Sequence, residues 1–582
     1  MQRLDYVLAT IGLIIFLFFA AVGMDKPGVS TAEGQLAIAL AAPMTFPFHE
    51  APTLTIFGVK LPLLLQPHIG CPLSIIYKPL LMASLPYNAV TIRVVTVFFG
   101  AVALAGAYFL ARYMFAAPIA GLATFLYAVD PNQIFNSRCD WSHTTVMNVA
   151  KTWAIYLFLQ GMQGSSMRAL FLSGFLVGVS LWDKLSFAWL VIAFGIALLI
   201  LKRKELFAMT LQKKLVFCSG GVVGAAPLII ANIPSCISIL SFFLVGPPTT
   251  FETRWHVFLK TLDGTALNGV YNAMPPWAPP LNAFTVEPLT RTTALMKSVE
   301  LTVQPNPAPV LLLVSIASLV ALWTILARKK ESAGDSAGRL DLHTSLIMTL
   351  ILAIVLGLLP LTMRATYSPT HFFLLYPFMQ YLLAFSFVLP FLPAKMLNGD
   401  MELNASKPAW RAAQALSAIA FLWLSLSLLS IDYTTWDQIN RFGGRSIWSD
   451  CNVELADLLV NQKAKYYVPM DVNIWPQLYF LSKGRLNGDE YFWPVINSPK
   501  REDETQDQAD LKHMKEVIAP FMPDLSETIF IFHAPESTQL HGLVATFERV
   551  CSEKGLREVE IATIKQRDGL PVYRIIKLES KL

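Results

Sequence analysis

The side chains able to do chemistry in this sequence stand at the margins of long apolar stretches. Asp25 and Glu33 follow the first of these, and Ser30 or Thr31 could cap a helix through residues 35–41 lying along a membrane surface. Arg138, Asp140 and His143 stand between two further stretches, Asp183-Lys184 closes another, and Arg364 and His371 precede a later one. On one continuous helix, Asp140, His143, Met147 and Lys151 would share a face, with Lys151 roughly 15 Å along the axis from Asp140. A lysine at that depth is costly against lipid, so it should face a bundle interior, an aqueous cavity or an anion, or else snorkel to the interface. Each group also has a plainer reading. Asp25 and Glu33 could be solvated loop acids, Arg138 and Asp140 a local ion pair and cap, Asp183 and Lys184 neighbours that neutralise one another, and His371 an interfacial polar tip. Together they form a set drawn from different segments, in which Arg, Lys or His could hold a lipid phosphate while a carboxylate removes a proton from an acceptor.

The elements that must position them are membrane helices. The chain has 582 residues, 54% hydrophobic and 15% charged, with mean hydropathy +0.50, too apolar for an ordinary soluble protein. A net charge of +5, spread over short basic runs, argues against nucleic acid as a partner and for a lipid bilayer. Six cysteines show no metal-ligand spacing and no disulfide framework, and nothing in the sequence supports a Cys451 to Cys551 bridge. About eleven stretches are apolar enough to cross a bilayer: 6–23, 92–115, 119–135, 145–162, 169–182, 186–201, 215–233, 310–327, 346–363, 372–389 and 412–430. Ala21-Val22-Gly23 is similar to a signal-peptide cleavage site, but only Arg3 precedes the first stretch as a basic residue and many more stretches follow.

Lys and Arg concentrate in alternate connections, such as Lys202-Arg203-Lys204, Lys213-Lys214 and Arg328-Lys329-Lys330, while the other set of short connections holds Arg138, Lys184 and Arg364. This imbalance places the N-terminus inside, and the long connections 24–91 and 234–309 and the tail outside. Beyond residue 431 the composition turns polar. Strand-like runs at 464–468, 528–532 and 571–576 alternate with amphipathic helices at 451–461 and 540–554, and 497–512 reads as a solvated loop. The expected fold is a polytopic α-helical membrane protein of about eleven transmembrane helices over 1–431, with a C-terminal α/β extracytoplasmic domain over 432–582.

Several of these pieces carry a family likeness: Glu33, His68-Ile69-Gly70, Tyr77-Lys78-Pro79 leading to Arg93, Arg138-Cys139-Asp140-Trp141, Leu181-Trp182-Asp183-Lys184, the run 227–232, and Thr370-His371-Phe372 before Tyr376-Pro377. Across roughly the first 430 residues the chain resembles the polyprenyl-phosphate-dependent C-type glycosyltransferases, in the group of protein O-mannosyltransferases and aminoarabinose transferases (glycosyltransferase family 39). Many members of that group carry paired acids where this chain has Ala32-Glu33, which leaves Glu33 and Asp25 both open as the main carboxylate.

The resemblance implies an inverting sugar transfer from a polyprenyl-phosphate donor to a protein, lipid or glycan acceptor. Glu33 would act as base or position the acceptor, and Asp140 would orient it or hold a divalent cation. Arg138, Lys184 and His371 would offset charge on the leaving phosphate, with Lys151 and Arg364 as further donor-binding cations. Metal use varies in the group and no set such as HExxH occurs here, so no cofactor is assigned beyond that open divalent cation. The implied location is the cytoplasmic (inner) membrane, multi-pass, with the active site and C-terminal domain extracytoplasmic. A transporter or lipid flippase would share the many spans, and a non-catalytic envelope-assembly scaffold would use the tail as its binding module. The one-sided clustering of ionisable groups and the long outer loops favour the enzyme.

Overall fold

A computed structural model of the chain describes residues 4–35, 44–45, 49–50, 53–56, 58–66, 69–140, 143–164, 166–232, 249–272, 307–327, 340–363, 368–391, 407–486, 488, 491–492, 495, 505–535, 537–538, 540 and 542–580. Away from water a chain must satisfy its own backbone polar groups, which is why the apolar stretches are helices. In order these are α1 (Leu4–Ala21), α2 (Ser74–Met82), α3 (Ala89–Met114), α4 (Ala117–Ala128), α5 (Pro131–Arg138), α6 (Thr145–Gln163), α7 (Met167–Asp183), α8 (Ala188–Leu201) and α9 (Leu211–Asn232). They continue as α10 (Phe251–Leu262), α11 (Ala266–Asn272), α12 (Ala308–Ala327), α13 (Leu342–Thr362), α14 (Phe378–Val388) and α15 (Lys407–Phe442). Short antiparallel ribbons between residues 44 and 70 separate α1 from α2.

Every apolar stretch read from the sequence falls on a helix or a pair of helices, and among the described helices fewer than eleven are long and apolar enough to cross a membrane singly. Five described helices are long and apolar enough to cross a membrane, or six if the 3-10 helix Pro369–Leu375 and the helix after it, bent by 50°, form one broken span. The stretch 119–135 is not continuous, because Pro131 lacks an N–H and Asp130 accepts from Asn132 N at 2.9 Å, so one helix stops at Ala128 and another starts at Pro131. Leu4, Val7, Ile11, Ile14 and Phe18 on α1, and Leu416, Ile419 and Leu422 on α15, are exposed. Such an apolar surface is what a hydrocarbon environment permits and water does not.

Helices α7 and α9 pack backbone to backbone. A Cβ at Gly174 or Gly178 would collide with the backbone of α9, and one at Gly220 or Gly224 with the backbone of α7. Small residues four apart allow that approach and the dispersion contact it brings. Gly178→Val or Gly224→Val is therefore expected to cost about 1–3 kcal/mol, read as a lower Tm in detergent. Gly195→Ala, where an added Cβ would meet nothing within 4 Å, should not lower Tm.

The residues after α15 form a four-stranded sheet of β1 (Tyr466–Pro469), β2 (Thr528–His533), β3 (Leu556–Lys565) and β4 (Pro571–Ser580), in the order β1-β2-β4-β3. Strand β1 runs parallel to β2, and the other pairs are antiparallel. The central strand Thr-Ile-Phe-Ile-Phe-His is buried throughout because both faces are covered. Phe530 and Phe532 pack with Phe547 and Val550 of α19 (Leu543–Glu553), whereas Ile529 and Ile531 pack with Leu455 and Leu459 of α16 (Cys451–Gln462), the helix that precedes β1 as α17 (Trp475–Leu481) follows it. That alternation puts Cys451 and Cys551 in cores on opposite faces of the sheet, and both are free thiols. The solvated loop expected over 497–512 is in part a helix, α18 (Gln506–Ile518), entered through a capping box between Thr505 and Gln508. Residues 497–504 lie outside the described set.

Candidate active site

The last carbonyls of α1 need donors that the helix itself cannot supply. Arg138, at the end of α5, provides them: Nε donates to Lys26 O at 2.8 Å, Nη1 to Phe19 O at 2.8 Å and Val22 O at 2.9 Å, and Nη2 to Gly23 O. Arg93 on α3 does the same for the next turn of chain. Its Nη1 donates to Met24 O (2.9 Å) and Pro27 O (2.8 Å), and its Nη2 to Gly28 O (2.9 Å). The remaining donors grip Glu33, Nε to Oε1 at 2.8 Å and Nη2 to Oε2 at 2.9 Å, and both side chains are fully buried. Glu33 also closes a capping box on the helical turn 31–35, with Ser30 N donating to Oε2 (2.7 Å) and Glu33 N to Ser30 Oγ (3.2 Å). Residues 36–41 of the helix expected there lie outside the described set.

The C-terminal region holds this loop from the other side. Asn452 Nδ2 donates to Val29 O at 3.0 Å, and Gly28 N donates to Trp448 O at 2.8 Å. The Thr31 hydroxyl donates to the side-chain carbonyl of Asn473, a residue with φ of 63°, and Gly34 lies against the backbone of Pro476. The sheet is tied to the end of α15 by the buried Arg445–Asp568 ion pair at 2.8 Å.

A second cluster surrounds the start of α6. Asp140 Oδ1 accepts from Thr144 N (2.9 Å) and Thr145 N (3.2 Å), and Asp183 Oδ2 accepts from Met147 N (3.1 Å). Two carboxylates thus share one helix N-terminus, where the helix dipole favours negative charge. Lys184 forms an isolated β-bridge with Ile69, and its Nζ lies 3.4 Å from Thr370 Oγ1. The Lys184 charge reaches His143, and Tyr77 lies within electrostatic reach of both Asp140 and Glu33. Asp140, His143, Asp183, Lys184, Tyr77 and Thr370 are each no more than 6% exposed. In the α5–α6 connection, burial pushes the Asp140 carboxyl above the ordinary aspartate range, the Thr144 and Thr145 donors pull it down, and the Glu33 charge raises it again. Burial, and then the Lys184 charge, lower His143 to about 3.

The placement of the residues singled out in the sequence is uneven. Asp140 and His143 do not share a helix face with Lys151, since α6 begins at Thr145 and His143 takes the left-handed φ of 52°. Lys151 lies deeper along α6, donating to Asn148 Oδ1 at 2.9 Å and Phe373 O at 2.7 Å. His371 Nδ1 is 3.0 Å from Ser368 O, and its ring is 6.1 Å from that of Trp189. Asp25 is exposed and takes no part in the Glu33 ion pair. Arg364, His68 and Trp141 lie outside the described residues. Among the described residues, no three His, Cys, Asp or Glu side chains come together to hold a metal ion.

The role of Arg93 and the capping by Asp183 were not read from the sequence. A lone arginine within an apolar helix was the available signal for Arg93.

In fold, the chain is similar to membrane glycosyltransferases of the C type. ArnT from Cupriavidus metallidurans in the apo state superposes with TM-score 0.52 at 10% identity, over 98% of this chain and 97% of that one. The same protein bound to undecaprenyl phosphate gives 0.50 at 11%, over the same shares. The archaeal oligosaccharyltransferase AglB from Archaeoglobus fulgidus, in complex with an inhibitory peptide and a dolichol-phosphate, gives 0.50 at 12%, over 98% of this chain and 74% of that one. Residues 80–231 match the family described as dolichyl-phosphate-mannose-protein mannosyltransferase, so the polyprenyl-phosphate glycosyltransferase likeness is carried by sequence as well as fold. That stretch contains Arg93, Arg138, Asp140, Asp183 and Lys184. Comparison with curated proteins finds no match.

Proposed function

We propose that this chain transfers a sugar, with inversion, from a polyprenyl-phosphate-linked donor to a protein, lipid or glycan acceptor at the outer face of the cytoplasmic membrane. The observation that supports it best is the gathering of Asp140, Asp183, Lys184 and Thr370 at the start of α6, mostly inside the stretch that matches the mannosyltransferase family. In this reading an acceptor hydroxyl attacks the anomeric carbon from the face opposite the phosphate. The carbon–oxygen bond to the phosphate breaks, its electron pair leaves on the phosphate oxygen, and the hydroxyl proton passes to Asp140. Lys184, with His371, offsets charge on the departing phosphate. Glu33, gripped by Arg93, positions the acceptor, and Arg138 acts indirectly by holding the end of α1. Asp140 takes the base role in preference to Glu33 because Arg93 and Ser30 N occupy the Glu33 oxygens.

The test is release of polyprenyl phosphate from sugar-charged lipid by purified protein in liposomes, with no ion gradient applied. Release is expected. Donor lipid crossing the bilayer with its sugar still attached would instead establish a flippase. A pH signature follows from the raised Asp140 carboxyl. A base must be ionised, so kcat/KM should fall as pH drops through an apparent pKa above the ordinary aspartate value, and Asp140→Asn should lack that limb.

A further inference from the structure

Inside the bundle, away from the start of α6, several buried oxygens have no donor among the described residues. Asp130 is 2% exposed, and its carboxylate accepts from Asn132 Nδ2 at 3.0 Å and from Gln380 Nε2 at 2.9 Å. Each of those amides turns an oxygen away that finds no hydrogen-bond partner among the described residues, though Asn132 and Gln380 are 3% and 2% exposed. On α15, Asp432 is fully buried with neither carboxylate oxygen partnered among the described residues, and it lies within electrostatic reach of Asp130. Asp130 and Gln380 line a small cavity together with Leu424 and Leu428. Those leucines sit two turns and one turn before Asp432 on the same helix face. Lys151, the cation whose charge reaches Asp130, is already bonded to Asn148 and Phe373.

Ionised together, two carboxylates against one ammonium would leave a negative charge in a place where an unpaired charge is expensive. A proton on Asp432 would remove the charge but would bring a single donor for several empty acceptor oxygens. A hard cation takes oxygens from carboxylates and amide carbonyls alike, and would occupy them together.

We propose that Asp130, Asp432, Gln380 and Asn132 form a binding site for one monovalent hard cation, of which sodium is the probe. The site would join α5 and α14 to α15, the helix whose far end carries the C-terminal sheet. It does not depend on the glycosyl-transfer reading. The experiment is thermal unfolding of the full-length protein in detergent, in sodium chloride against N-methylglucamine chloride at equal ionic strength and over a range of pH. Sodium should raise Tm saturably, by roughly 5 °C. Asp432→Asn should abolish that response, and the exposed Asp25→Asn should keep it. Radioactive sodium should bind the unaltered protein at about one equivalent per chain, a readout that stands even if Asp432→Asn fails to fold. No sodium binding, a Tm that follows pH alone, or an equal sodium response in Asp432→Asn would each overturn the proposal.

Discussion

Replacing Arg93 with alanine is expected to cost about 3–5 kcal/mol, because it strands the Glu33 carboxylate without its cation in a fully buried site. The loss is not of one contact. The guanidinium also serves the carbonyls of Met24, Pro27 and Gly28, and a lysine ammonium has no planar fork with which to serve them and the carboxylate together, so Arg93→Lys should recover only part of it. Glu33→Met combined with Arg93→Met should be less damaging than Arg93→Ala alone, since no uncompensated charge remains, although the three carbonyls still lack donors. Tm and the yield of monodisperse protein in detergent measure this. An Arg93→Ala protein with unaltered Tm would mean that the loop after α1 is held by something else. The functional consequence is separate. If Glu33 positions the acceptor, Glu33→Gln should raise the acceptor KM more than it lowers kcat, because the amide keeps the side-chain length and one acceptor oxygen but loses half of the bidentate grip.

Much of the frame could be read from the sequence because hydropathy is a property of composition. The apolar stretches and the strand Thr528–His533 announce themselves by residue type alone. What interrupts them is harder to see. Asp130-Pro131 ends one helix and starts another, an event the apolar average over 119–135 hides. The shared face assigned to Asp140, His143, Met147 and Lys151 failed on one dihedral angle, since His143 turns left-handed and the helix starts two residues later. Strand β3 was missed because Arg557, Glu558 and Glu560 make it look like a charged linker; it is an edge strand, where outward charges are ordinary and guard against pairing with other chains. Within the candidate site, residue types were legible and partners were not. Asp183 and Lys184 read as a pair that could neutralise itself, yet Asp183 faces the start of α6 while Lys184 reaches toward Thr370. Arg138 looked like a phosphate ligand because it is a cation at a membrane edge, and its partners are backbone carbonyls 112 or more positions away, which no local pattern encodes.

Asp140→Asn should lower turnover by about 10²–10⁴-fold while leaving the fold intact. The two halves of this expectation rest on different properties of one side chain. As a cap, Asp140 uses a single oxygen, Oδ1, to accept from Thr144 N and Thr145 N, and an asparagine presents a carbonyl oxygen in the same place. Stability should therefore change by only a few tenths of a kcal/mol, the margin by which an aspartate exceeds an asparagine near a helix N-terminus. As a base, the residue needs a negative oxygen that can take a proton, and an amide has none. Asp140→Ala would remove both functions and could not tell them apart, which is why the isosteric change is the informative one. Paired with Lys184→Gln, it also separates the two sides of the reaction. Loss of the lysine should weaken donor-lipid binding and leave the pH limb of kcat/KM in place, whereas loss of Asp140 should remove the limb and spare donor binding. If Asp140→Asn turns over at the normal rate with the same pH profile, proton removal falls to another carboxylate, and Asp183, held against the same helix by Met147 N, is the next to test.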